Sequence, residues 1–364
     1  MWLHLRAQAS SILSQPVWWT DREQLVRATQ LILIEGLPGS GKSTLAQQLA
    51  WCATEAAEDV RWWYEEDLGH PVYVFHDRES LRQTVEALNR GDHATVIDGA
   101  LAQWQRFADA VASGPSVVLI DSCLFGYLTW SLFPLAVPQA EIAAYVAEVM
   151  RIIAPLNPGL IYLYQDDVAA SLRRICARRG AATEQRLMAQ STQSRYGRIH
   201  QLSGFGGMVE YWSAYRRVTD ALYESFAFPK VAIETTAGDW TNYQRQALDF
   251  LDVPPRERPR LSQAALIALT GSYDYAVDGQ TGTVEIVLAE TGLMLRDMPE
   301  VWHDTPLLPL AVDRFAVESL PFEVRFEHDE EHAQIRMLVS GPDLLGGALP
   351  RLLARGWDNA GTER

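Results

Sequence analysis

Residues 31–50 read LILIEGLPGSGKSTLAQQLA, and this stretch decides the fold. Four apolar residues, Leu31 to Ile34, lead into a glycine-rich turn. A lysine, two hydroxyls and a run with helical apolar spacing follow. Gly36 to Ser43 fits the phosphate-loop pattern G-x-x-x-x-G-K-[ST], with Thr44 next. Each residue type there has a physical task. Gly36, Gly39 and Gly41 let main-chain N–H groups around Ser40 turn inward on phosphates, and the helix beyond offers its positive end. Lys42 is placed to reach the β- and γ-phosphates, and the Ser43 hydroxyl to ligate Mg²⁺.

The lysine is telling. The chain holds 29 arginines but only two lysines, Lys42 and Lys230. Where any positive charge would serve, this sequence uses arginine. A phosphate loop needs a slim point charge, which a planar guanidinium supplies poorly.

Working outward, short apolar runs alternate with helical patterns as far as residue 251. The runs are 31–35, 60–64, 116–121, 160–165 and 230–234, and Leu45 to Ala57 and Ile142 to Ile153 are amphipathic. Near-continuous apolar strands between helices predict a parallel sheet covered on both faces. DVPPRERPR, residues 252–260, has three prolines within six positions and reads as an extended linker. Beyond it TVEIVLAETGLMLRDM and FEVRFEHDEEHAQIRMLVSG alternate with period two about turn signals, predicting antiparallel hairpins and a small barrel. The expected organisation is therefore an α/β domain over 1–252, a linker over 253–260 and an antiparallel barrel over 261–364.

Composition narrows the partners. The net charge of −15 argues against a nucleic-acid polymer, which needs clustered Lys and Arg. Residues 1–260 carry 24 basic and 29 acidic residues, and 261–364 carry 7 and 17, so the barrel half is the more acidic. No apolar run approaches the roughly 18–20 residues of a membrane span. MWLHLRAQASSILSQPVWW lacks the build of a secretory signal. Three scattered cysteines suit a reduced compartment. The expected location is cytoplasmic, with no membrane partner and with a homodimer left open.

Candidate chemistry follows the strands. SVVLIDS ends four apolar residues with Asp121, the pattern of a strand-terminal carboxylate that holds Mg²⁺. ATVIDG, ending at Asp98, is a weaker rival because its apolar run is shorter. Glu65, Glu66 and Asp67 follow the second strand, at the sheet end where such folds bind ligands, and Glu65 or Glu66 could take a proton from an attacking hydroxyl. In DDVAASLRRICARRG, Arg174 and Arg178 share a helix face, flanked by Arg173 and Arg179. Such donors would steady charge on a phosphoryl group in transfer. Trp62, Trp63, Trp104, Phe107, Phe125, Tyr127 and Trp130 are candidates for an acceptor pocket. HDEEH, residues 328–332, reads as a hairpin turn, not a zinc motif, and GFGG at 204–207 follows no strand.

In this order the phosphate loop, the second-strand carboxylates, VVLIDS, SLRRICARRG and VAIETTAGDW resemble the P-loop kinases of the thymidylate and deoxynucleoside kinase group, over roughly residues 30–250. The resemblance implies a five-stranded parallel sheet, an arginine-bearing lid within about 166–200, and a loop at Thr235 to Trp240 lying against the adenine of ATP. Those kinases follow the third-strand carboxylate with arginine. This chain has Asp121-Ser122-Cys123, which predicts that ordinary deoxynucleosides are poor acceptors. Residues from LTGSYDYAVDGQTGTVEIVL onward resemble small lipocalin-like accessory barrels. The expected function is transfer of the γ-phosphate of ATP to a small hydroxyl or phosphate acceptor. A nucleotide-dependent switch or binding module is the alternative, although no guanine-reading Asn-Lys-x-Asp is present.

Overall fold

The computed structural model describes residues 29–54, 59–277, 279–299, 301–329, 334–347 and 349–356. The N-terminal stretch read for a signal, the end of the first amphipathic run and the tip of HDEEH lie outside them.

The first half is a five-stranded sheet in the order β2-β3-β1-β4-β5, parallel throughout. β1 is Leu31–Gly36, β2 Val60–Trp63, β3 Val117–Asp121, β4 Gly159–Tyr164 and β5 Lys230–Glu234. Its helices are α1 (Lys42–Ala53), α2 (Arg78–Arg90), α3 (His93–Ala112), α4 (Leu128–Leu132), α5 (Gln139–Ile153), α6 (Val168–Arg179), α7 (Ala181–Thr192), α8 (Arg195–Ile199), α9 (Gly204–Ser225) and α10 (Trp240–Leu251). β1 is apolar without alternation because both of its faces are covered. Leu31 and Leu33 enter one core with Trp104, Val146 and Tyr215, while Ile32 and Ile34 enter another with Leu45, Leu49 and Leu251. Asp98 lies inside α3, so the rival strand at ATVIDG is a helix, whereas Asp121 ends β3.

After residues 253–262, which form neither helix nor strand, a short helix α11 (Gln263–Ala268) precedes eight strands. They are β6 (Gly271–Val277), β7 (Gln280–Ala289), β8 (Gly292–Arg296), β9 (Thr305–Pro309), β10 (Arg314–Val317), β11 (Glu323–Asp329), β12 (Gln334–Ser340) and β13 (Leu352–Gly356). They form a closed barrel, each strand pairing with its sequence neighbours and β13 returning to β6. Both predicted hairpins are present, β7–β8 and β11–β12. Alternate residues such as Val284, Ile286, Val324, Phe326 and Met337 point inward and fill the barrel. β2 is an edge strand of the parallel sheet, and the barrel covers part of it: Tyr64 is buried in the barrel's core cluster, with Trp62 packed against it. Among the described residues no helix is long and apolar enough to cross a membrane.

Candidate functional site

The phosphate loop joins β1 to α1 at the centre of the sheet, where chain order reverses and such folds place ligands. Gly41 is the N-cap of α1, at φ 93° and without a side-chain cap, so the first helical N–H groups remain available. A Cβ at Gly41 would lie 1.8 Å from the Trp240 ring, and one at Gly39 would lie 2.2 Å from Ile175. Only glycine lets α10 and α6 press this closely on the two sides of the loop. Lys42 is 5% exposed and its Nζ donates to Leu37 O at 3.2 Å.

Asp121 is fully buried. Its Oδ1 accepts the Glu65 N–H at 3.0 Å, and its Oδ2 has no hydrogen-bond partner. Burial, then the nearby Glu65 carboxylate, pushes its carboxyl above the usual range; the Ser43 hydroxyl and Lys42 ammonium oppose that shift. Sequence reasoning missed a second buried acid. Glu35 sits at the end of β1, its Oε1 accepting the Leu124 N–H at 2.6 Å and its Oε2 unpartnered. Burial raises it to about 8 against the pull of the Leu124 amide and Lys42. The available signal was a carboxylate ending a wholly apolar strand. With Ser40 Oγ, also buried, three oxygens on the loop and its flanking strands lack hydrogen-bond partners among the described residues. Buried polar atoms of this kind call for a water, ion or ligand.

One cavity of about 380 Å³ runs from Lys42 past Glu65, Glu66 and Arg179 to an aromatic end. Glu65 is fixed through its main chain: its N–H is held by Asp121 and its C=O by the Tyr73 hydroxyl. Glu66 is exposed, and its C=O accepts the Leu345 N–H at 2.9 Å. Asp67, the third of these carboxylates, is buried, with Oδ1 accepting the Gly69 N–H at 2.8 Å.

The four arginines of α6 diverge. Arg179 lines the cavity and interacts with Glu65 and Glu66. Arg174 Nη1 donates to Thr236 O at 2.6 Å, beside the loop that leads to Trp240. Arg178 is directed to Glu318 of the barrel, 3.5 Å away, and Arg173 lies over Phe205.

Of the aromatic candidates, Phe125, Tyr127 and Trp130 line the cavity. Four do not. Trp104 is fully buried, its Nε1 donating to the Tyr145 hydroxyl at 3.1 Å, and Phe107 packs edge-on against it. Both lie on the core stripe of α3. Trp62 packs against the barrel, and Trp63 lies beneath the Arg61 guanidinium, 3.8 Å from the ring centre. Sequence reasoning missed Tyr73, Phe75, Trp212, Tyr215 and Leu345, which join the lining from distant segments. The Trp130 and Trp212 rings stack at 4.5 Å and 11°. Ser122, in the left-handed region at φ 60°, occupies the cavity position next to Asp121. Among the described residues no cluster of three His, Cys, Asp or Glu side chains could hold a metal by itself.

The glycine-rich turn between a buried parallel strand and an uncapped helix is the P-loop nucleotide-binding fold, to which the chain adds a closed eight-stranded barrel. Compared with known proteins, the chain matches no family description and no curated protein. Among solved structures it is similar to the signal recognition particle receptor FtsY from Elizabethkingia anophelis in complex with GDP. That similarity has 18% identity and a TM-score of 0.20, over 36% of this chain and 40% of that one.

Proposed function

We propose that the protein is a small-molecule kinase that transfers the γ-phosphate of ATP to a hydroxyl of a compact, ring-bearing acceptor. The observation that carries the reading is the single cavity joining Lys42 to an aromatic-walled end, because a phosphate donor and an acceptor must meet in one enclosed space. The residues divide the work. Lys42 and the first N–H groups of α1 hold the donor's phosphate oxygens. Glu65, rigid at both main-chain ends, accepts the proton of the attacking hydroxyl, with Glu66 as the neighbouring candidate. Arg179 donates to the oxygens of the phosphoryl group in flight. Phe125, Tyr127, Trp130 and Trp212 hold a flat, partly apolar acceptor.

The donor set suits Mg²⁺. A hydroxyl at Ser43 and an unpartnered carboxylate oxygen on Asp121 are hard oxygen ligands. The ion, when bound there, neutralises phosphate charge. Among the described residues Lys42 and Arg179 are the cations that line the cavity, in company with Glu65 and Glu66. Ser122 stands where the resembling kinases have arginine. This favours a neutral or cationic alcohol over a nucleotide, and the acidic chain gives no footing for a nucleic-acid strand.

ADP release from the full chain with Mg²⁺ and ATP, with and without candidate acceptors, tests the reading. Acceptor-dependent turnover is expected. Turnover indifferent to every acceptor would favour a nucleotide-dependent switch, for which the barrel's docking on α1 offers a route to a partner.

A further inference from the structure

The barrel reaches the phosphate site at two places. Its β10–β11 turn docks on α1, immediately after the phosphate loop. Thr44 Oγ1 and Ser319 Oγ lie 2.6 Å apart. Gln47 Nε2 donates to Val317 O at 2.8 Å and to Leu320 O at 3.0 Å, and Gln47 Oε1 accepts the Ser319 N–H at 3.0 Å. Ser319 is held in the left-handed region at φ 64°, a conformation that non-glycine residues rarely keep unless their surroundings fix it. From the same turn Glu318 meets Arg178 of the lid. From the β8–β9 connection Trp302 lies under two of the four lid arginines, 4.2 Å from Arg179 and 5.6 Å from Arg178.

We infer that the barrel positions the lid: Trp302 holds Arg179 over the cavity, and Glu318 holds Arg178 beside it. The inference rests on the transfer reading above and extends it, making two barrel residues positioning residues for the phosphate site. A free arginine at the end of a helix samples many rotamers. Stacked on an indole face it keeps one. A donor fixed before reaction needs no reorganisation when charge develops, which is where such groups have most effect. The barrel turn also grips the helix that carries Lys42 and Ser43, so phosphate loop and lid share one brace.

The test is calorimetric binding to the full chain of Mg·ADP, alone and with aluminium fluoride as a mimic of the phosphoryl group in flight. Wild type, Trp302→Ala, Trp302→Phe and Glu318→Gln are compared, with folding checked by circular dichroism. Misplacing a catalytic donor by about 1 Å can cost on the order of 10²-fold. Trp302→Ala is therefore expected to weaken the fluoride complex about tenfold or more, while its Mg·ADP affinity stays within about twofold. Trp302→Phe should recover most of the loss, and Glu318→Gln should weaken the fluoride complex several-fold. A Trp302→Ala protein that binds both ligands like wild type would overturn the inference. So would one that loses both equally, since that is a merely structural effect. Should Trp302→Ala not fold, Trp302→Phe and Glu318→Gln decide, and wild-type fluoride binding in both overturns it. If wild type gains nothing from aluminium fluoride, the transfer reading itself fails and the positioning role fails with it.

Discussion

The main-chain N–H of Glu65 donates to Asp121 Oδ1 at 3.0 Å, tying the end of β2 to the end of β3. The backbone of the candidate base is therefore fastened to the side chain of the candidate metal carboxylate. With the Tyr73 hydroxyl on its carbonyl, the Glu65 backbone is held at both ends while its side chain faces the cavity. Glu66 is the more exposed of the two.

Glu65→Gln is accordingly expected to lower acceptor-dependent turnover by about 10²- to 10⁴-fold, the usual value of general-base help. The affinity for Mg·ATP should change little. Glu66→Gln should have a much smaller effect. Steady-state rates and nucleotide binding on both variants check this, and a larger loss in Glu66→Gln would move the base to that residue.

Lys42→Ala should abolish transfer while the fold survives. The ammonium is buried, and its one hydrogen bond among the described residues goes to Leu37 O, whose loss costs about 1 kcal/mol. A thermal melt should shift only slightly. Near-normal turnover at saturating ATP would remove the phosphate loop from the mechanism.

The barrel contributes Leu345 to the cavity wall, on a segment bound to the Glu66 carbonyl and to Arg78. Leu345→Trp is expected to raise KM for the acceptor, and Leu345→Ala to admit bulkier acceptors. Nucleotide affinity should be unchanged in both. Unaltered acceptor preference in both variants would take the barrel out of the pocket.

Much of the parallel sheet was legible because its signals are local. A phosphate loop occupies eight consecutive residues, and a two-faced central strand shows itself as an unbroken apolar run. β5 falls on the predicted residues 230–234. The pocket was less legible because it is assembled from far-apart segments. Trp212 carries no sequence mark of stacking on Trp130, nor Leu345 of joining the same cavity. Trp104 and Phe107 are aromatic and near Asp121 in sequence, yet α3 turns them into the core together with Val96, Ala100, Ala108 and Val111. A helical period through residues 93–112 would have separated them from the pocket. Glu35 lay in plain view beside Gly36, but its burial depends on the Leu124 loop closing over it. The division of the α6 arginines among Thr236, Glu318 and the cavity is tertiary information, set partly by the barrel.

Acid should weaken the fold through His70. Its ring is buried, stacks on Tyr73 at 4.4 Å and lies 3.3 Å from the Cys123 sulfur. Burial pulls its pKa from 6.5 down to about 3. The folded state thus keeps the ring neutral while the unfolded chain takes up a proton below pH 6.5. Stability is fully present above pH 6.5 and falls as pH drops toward 3, by about 2 kcal/mol at pH 5 for this group alone. His70→Phe keeps an aromatic ring at this position but cannot be protonated. Urea unfolding at pH 7, 6 and 5 should show a flatter pH slope in the variant. Equal slopes would mean that His70 titrates freely.

The most direct measurement is transfer of γ-labelled phosphate from ATP by the full chain, followed to the product. Three acceptor sets are compared: neutral and amine-bearing ring alcohols, deoxynucleosides and their monophosphates, and 5′-hydroxyl oligonucleotides. The account predicts Lys42-dependent label on a compound of the first set, with little on the second and none on the third. Label released only as free phosphate, whatever is added, or label carried only by oligonucleotides, would contradict it.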